Sequence, residues 1–392
     1  MKLTAVILLT SSISATGLSA QQRPAPSANP NPAPAANPTF NYRLAEQYLD
    51  SRMAWWLGWP NAARDHQTSC VSCHTALPYA LARPALRTSR FPSPIPDAER
   101  RMIENVVKRV TLWKEVDPFY PDQTRGLPKT SESRGTESVL NALILVTRDA
   151  TPDNSGGELT LASGKKSGSE LSAQGKQALD NMWALQFRSG ALKGAWAWLN
   201  FHYEPWEADG SPYFGAALAA IAVGRAPENY IANQDIQPQL KLLREYLQRG
   251  ADSVSLFNRA MGLWASSRLP DALTPAQRQS IVDALSAKQQ ADGGWSTASL
   301  GNWKRVDSTS LDEKSDGHAT GLVVHALQCS GVATTDPRVK RGITWLQQNQ
   351  DAATGMWPAS SLNKNRDPAT DIGKFMSDAA TGYAVLALRH AC

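Results

Sequence analysis

Cysteine and histidine are scarce here: 392 residues hold four cysteines and six histidines. That excludes a disulfide-built scaffold and leaves few side chains from which a metal centre could be assembled. Charge excess is scarce too. Forty Lys and Arg against 35 Asp and Glu give +5, and no basic block is interleaved with aromatics, so nucleic acid is not an expected partner. Long apolar runs are also lacking. The N-terminal stretch Leu3 to Leu9 falls short of the ~20 residues that cross a bilayer, so no membrane span is expected.

What cysteine and histidine there is, is concentrated. Thr68-Ser69-Cys70-Val71-Ser72-Cys73-His74-Thr75 contains a C-x-x-C-H run. Two thiols at this spacing can each form a thioether to a porphyrin vinyl group, and the following histidine is placed to ligate the iron. The pattern therefore predicts haem c on Cys70, Cys73 and His74. A surface disulfide or half a zinc site uses the same two thiols. A zinc site would want a second ligand pair, whereas Cys329 and Cys392 come singly. No βαβ context for a thioredoxin-like motif is apparent.

The N-terminus bears on this reading. A positive start at Lys2, the apolar run and small residues to Ala20 predict a signal peptide over 1–20. Covalent haem attachment in bacteria takes place outside the cytoplasmic membrane, so an exported, periplasmic location agrees with the haem motif. Residues 21–40, rich in Pro, Ala and Asn, read as an extended tether. Residues 152–168, rich in Gly, Ser and Lys, read as an insertion without an assigned role.

From 41 to 392 the chain repeats. Ala319-Thr320-Gly321-Leu322 is echoed by Ala380-Thr381-Gly382-Tyr383. Similar small-residue apolar helices are expected at 135–146, 213–223 and 256–266, and an earliest one from Cys73. Apolar on nearly every side, these should be buried all round. Amphipathic helices alternate with them at 44–56, 97–116, 172–187, 237–250, 274–290 and 337–350. Six outer and six inner helices predict an all-α fold, an (α/α)6 toroid of six helical hairpins closed on itself.

The joints between outer and inner helices carry tryptophan, which at 13 outnumbers phenylalanine at 8. Gln350 with Gly355-Met356-Trp357, Gln290 with Gly293-Gly294-Trp295, and Gln186 with Gly194-Ala195-Trp196 repeat one pattern. Glutamine is expected to cap the outer helix, glycine to take the turn, and tryptophan to stack back across it. These joints resemble the QW motifs of the squalene–hopene cyclase and oxidosqualene cyclase family, whose toroid is shared with protein prenyltransferases. The resemblance implies a central cavity for an isoprenoid-like ligand. Two departures stand out: no D-x-D-D acid run occurs, and no prenyltransferase zinc set is found at matching places.

Parallel inner helices gather their N-termini on one rim, an electropositive place suited to anionic groups. The repeat puts Cys70–His74 there, with Glu137, Asp316 and Asp378 as candidate catalytic acids. Met376, His318 and His66 are the candidate distal ligands to iron, with an open position as the alternative. Arg64 and Arg83 are candidates for haem propionates. Tyr79, Tyr213, Phe214, Phe257, Trp264 and Tyr383 are candidate cavity-lining residues, with core packing as the other explanation. His202 and Tyr203 read as a packed loop, and His325 as a core histidine. Cys329 and Cys392 end neighbouring inner helices, which predicts a disulfide, with two inert buried thiols as the alternative.

Two classes of function follow. One is redox chemistry or electron transfer linked to an apolar small molecule and a redox protein partner. The other is a binding or scaffold module whose haem only carries electrons or stabilises the first hairpin. A redox-independent cyclase is a third reading, weakened by the missing acid run.

Overall fold

The computed structural model describes residues 40–87, 94–151 and 170–392. The expected signal peptide, all but the last residue of the tether, and the 152–168 insertion lie outside them. Thirteen α-helices are present among the described residues. They are α1 (Tyr42–Gly58), α2 (Ala76–Leu86), α3 (Asp97–Thr111), α4 (Asp122–Arg125), α5 (Lys129–Ala150), α6 (Ala173–Ala184) and α7 (Ser211–Arg225). After these come α8 (Gln237–Gly250), α9 (Leu256–Arg268), α10 (Pro275–Ala287), α11 (Gly317–Cys329), α12 (Pro337–Gln348) and α13 (Phe375–Arg389). A two-residue antiparallel pair, β1 (Ala63–Arg64) with β2 (Thr68–Ser69), is the one sheet among them.

Helices α2, α5, α7, α9, α11 and α13 pack in that order, and α13 returns to α2, closing an inner ring. The outer ring is α1, α3, α6, α8, α10 and α12, each against its own or the neighbouring hairpin. This is the (α/α)6 toroid expected from the repeat. The division follows from sequence. Helix α7 buries Tyr213, Phe214 and every residue from Gly215 to Val223, whereas α8 buries only Leu240, Leu243 and Leu247. Four of the six outer helices, α1, α6, α10 and α12, start where a short polar residue bonds a free N–H group. Thr274 and Gln277 form a capping box at α10, and Asp336 accepts from Arg338 N at α12. Close approach in the inner ring needs glycine. A Cβ at Gly321 would lie 2.5 Å from Ala384 N, and one at Gly382 would lie 2.6 Å from Pro78 Cβ.

The joints work differently from expectation. It is tryptophan that caps: Trp196, Trp295 and Trp357 donate Nε1–H to the carbonyls of Met182, Leu285 and Leu346 at outer-helix ends. Glutamine instead reaches to the next outer helix. Gln186 donates to Gln239 O of α8. Gln350 donates to Asn41 O, the N-cap of α1, joining the last hairpin to the first. In the middle joint Gln289, not Gln290, makes the corresponding bond, to Arg338 O.

Candidate functional site

The C-x-x-C-H run does not begin the first inner helix. It forms the loop before it. Ser72 Oγ accepts from Thr75 N and Ala76 N (3.2 and 3.0 Å), so the helix starts at Ala76 and Cys70–His74 precede it. The loop is pinned from several sides. Cys70 N donates to Ala62 O (2.8 Å), Trp56 Nε1 to Cys70 O (2.7 Å), and Ser69 N to Asn105 Oδ1 of α3 (2.7 Å). Arg109, fully buried on α3, donates to Thr68 Oγ1 (2.6 Å) and pairs with buried Glu137 of α5. Both thiols are buried and unpaired. Burial pushes Cys70 up to about 12 and Cys73 well above the usual thiol value, so neither is a thiolate.

His74 is held in one tautomer. Its Nδ1 lies 2.8 Å from Thr75 Oγ1, and that hydroxyl donates to Asp378 Oδ2 (2.7 Å). Since the hydroxyl proton goes to Asp378, it is Nδ1 that carries the proton toward Thr75, and Nε2 keeps its lone pair. A metal-ligating histidine is normally oriented in this way through its other ring nitrogen. Asp378 also accepts from Tyr48 Oη and Arg52 Nε, both at 2.8 Å. Its burial raises it, and Arg52, Thr75 and Tyr48 pull the other way. Burial lowers His74 to about 3, with Arg52 and Arg366 adding to the effect, so the ring is neutral. The ring stacks on Phe375 (centroids 3.8 Å) and meets Trp56 edge-on (5.0 Å).

These groups face a cleft of about 350 Å³ whose lining includes Cys70, Cys73, His74, Trp206 and Met376. That volume lies within the ~300–1,000 Å³ of pockets for cofactor-sized ligands. Glu207 stands in its wall, pushed up to about 7 by burial. Cys70, Cys73, His74 and Met376 thus line one concave site, and this set of residues fits a covalently held haem.

Of the distal candidates, Met376 lines the cleft; His318 and His66 are not among its lining residues. His318 is fully buried behind Trp206 (rings 5.4 Å apart), and His66 sits on the exposed turn after β1 beside Asp65. Arg83 is buried against Glu46 and Asp50 of α1, away from the cleft and unsuited to propionates. Arg64 lies over Tyr120, which lines the cleft. Glu137 and Asp378 are bound up in the arginine pairs above. Asp316 caps α11, accepting from His318 N, Ala319 N and Thr297, and burial raises it to about 6.

Two candidate cavity residues turn outward: Tyr79 donates to Asp50 and Tyr213 to Leu247 O, both in the outer ring. Phe214, Phe257, Trp264 and Tyr383 do meet near the axis, packed on one another and on His318. Sequence reasoning missed Trp206, Glu207, Phe375 and Thr75. Tyr203, read as loop packing, also lines the cleft. Thr75 was findable, as the residue next to the presumed ligand. Cys329 and Cys392 are disulfide-bonded, and His202 is exposed.

No family model and no curated protein matches this chain. Solved structures of similar helical arrangement include an unsaturated glucuronyl hydrolase from Bacillus sp. GL1, 10% identical with TM-score 0.46, over 89% of this chain and 96% of that one. A polysaccharide lyase is 12% identical with TM-score 0.38, over 91% and 90%. The ent-copalyl diphosphate synthase of Streptomyces platensis is 15% identical with TM-score 0.34, over 90% and 89%. Likeness at this level says nothing of chemistry, and the toroid rests on the helix adjacency above.

Proposed function

We propose that this chain is an exported c-type haem protein whose toroid serves redox chemistry or electron transfer. Cys70 and Cys73 would hold haem c through thioethers, and His74 Nε2 and the Met376 thioether would be its iron ligands. The observation that carries this is the cleft itself, lined by two unpaired cysteines, a histidine whose Nδ1 is engaged by Thr75, and a methionine. The bound haem supplies one-electron chemistry. The chain supplies the rest. Thr75 and Asp378 orient the ligand, Trp56, Trp59 and Phe375 keep the cleft wall apolar, and Glu207 offers an ionisable group beside it.

An apolar, isoprenoid-like small molecule would meet these aromatic walls, and a redox protein would dock over the rim. Acid-catalysed cyclisation is the poorer reading. Glu137 and Asp378 are held by buried arginines and Asp316 by the N-terminus of α11, so none is free to protonate an alkene.

The test is co-expression with a c-type haem maturation system and a pyridine haemochrome spectrum of the purified protein. One covalent haem per chain is expected, lost in Cys70→Ser and in Cys73→Ser. A colourless mature protein refutes the proposal.

A further inference from the structure

Behind the cleft runs a file of rings that the proposed function leaves unused. Trp206 lines the cleft, its ring 6.2 Å from that of His74. From Trp206 it is 5.4 Å to His318, 5.5 Å on to Tyr383, 6.5 Å to Trp264 and 4.6 Å to His325, all between ring centroids. His325 ring nitrogens then lie 3.6 and 3.7 Å from Cys329 Sγ of the disulfide. The file spans the barrel from the cleft to the end where inner helices finish.

Four of its five members differ from the other buried tryptophans in one respect. Trp56, Trp183, Trp196, Trp198, Trp295 and Trp357 all donate their indole N–H. Trp206 Nε1, Trp264 Nε1, His318 Nε2 and Tyr383 Oη are buried and have no hydrogen-bond partner. Native interiors rarely leave such atoms unpaired, and a redox role is one recognised reason. His318, Tyr383 and Trp264 expose 1% of their surface or less, so water does not reach them. The oxidisable rings of the file are Trp206, Tyr383 and Trp264. The imidazoles of His318 and His325 bridge Trp206 to Tyr383 and Trp264 to the disulfide, which keeps the path packed where tunnelling falls off exponentially with distance.

We propose that this file is an electron conduit joining the cleft to Cys329 and Cys392, which act as a redox pair. The inference rests on the haem reading of the cleft. In the reaction the two reduced thiols form an S–S bond and release two electrons and two protons. The electrons pass singly along the rings to the cleft, where two equivalents of a one-electron acceptor take them up. The protons leave to solvent at the partly exposed pair.

The experiment uses haem-loaded protein whose disulfide has been reduced and the reductant removed. Ferricyanide is the acceptor, two becoming ferrocyanide per disulfide formed, and remaining thiols are counted by alkylation and mass spectrometry. Disulfide formation should slow at least tenfold in Trp264→Phe and in Tyr383→Phe, each with one haem by haemochrome and an unchanged circular dichroism spectrum. Trp183→Phe, a buried ring off both the cleft and the file, should match wild type. The haem-free Cys70→Ser/Cys73→Ser protein should be as slow as the file variants. Wild-type rates in both file variants, or in the haem-free protein, overturn the conduit while the haem reading stands. Wild-type protein without covalent haem overturns both.

Discussion

Glu137→Gln should unsettle both the fold and the attachment loop. Arg109 is fully buried, and its guanidinium donates to both Glu137 carboxylate oxygens, Thr68 Oγ1 and Asp117 O. Glutamine keeps the shape but removes the charge, leaving the cation with half-buried Asp65 at 3.6 Å as its chief compensation. Breaking a buried pair by removing one charge costs ~3–5 kcal/mol. Asp65 places this case near the lower end, about 3 kcal/mol. Unfolding entropy of ~2.1 cal/mol/K per residue gives roughly 0.7 kcal/mol/K over Thr39–Cys392. The expected loss is therefore a Tm lower by ~4 °C in calorimetry. Replacing the pair together, Arg109→Met with Glu137→Leu, should recover most of that, since apolar groups carry no unpaired charge. A single variant within a degree of wild type, or a double variant worse than the single, refutes the argument. Haem content of the single variant should fall as well, because Thr68 leads into Cys70.

Other predictions concern the cleft and the ring. Thr75→Val leaves His74 Nδ1 and Asp378 each short of a bond, so it should cost ~1–3 kcal/mol and shift the reduced-state spectrum without abolishing attachment. Met376→Leu, which conserves volume, should lower the midpoint potential of the haem-loaded protein, and His318→Gln should not. Glu207 has a folded pKa of about 7 against an ordinary value of 4.5. Its contribution to stability is full below the unfolded value and is lost as pH rises through the folded one. Tm should therefore fall between pH 5 and 7, and Glu207→Gln should flatten that slope. Cys392→Ser opens a loop between residues 63 apart and should cost up to ~4 kcal/mol by the chain-entropy estimate.

The toroid was legible because its parts repeat. The spacing of Ala319–Leu322 and Ala380–Tyr383 forces equivalent helices, and all-round apolarity forces them inside. The disulfide was legible for the same reason, both cysteines lying at the ends of equivalent helices. Direction within a helix was not. Tyr79 and Tyr213 sit on inner helices yet point outward, because Asp50 and Leu247 O satisfy their hydroxyls there. Arg83 was placed at the rim by helix position alone, whereas two carboxylates of α1 draw it to the outer layer. Trp206 and Glu207 belong to a loop with no repeat partner, so no periodic argument could bring them to the cleft.

The attachment loop is tied on one side to α3 and α5, through Arg109, Glu137 and Thr68. On the other side it is tied to α1 and α13, through Arg52, Asp378 and Thr75. Those four helices come from the first, second and last hairpins, so the residues that close the ring also set the thiols and His74. A chain whose last hairpin is undocked lacks Asp378, Phe375 and Met376 and so has half a cleft. Attachment should therefore require the closed toroid. Asp378→Ala probes this, because it unpairs Arg52, which is left with the half-exposed Asp371, and frees Thr75 at once. Leaving that cation so little compensated should cost ~3–5 kcal/mol. Haem loading should then fall more steeply with growth temperature than in Thr75→Val, which frees the same ligand but leaves the ion pair whole. If both variants load equally at every temperature, the orienting bond alone matters and ring closure does not govern the site.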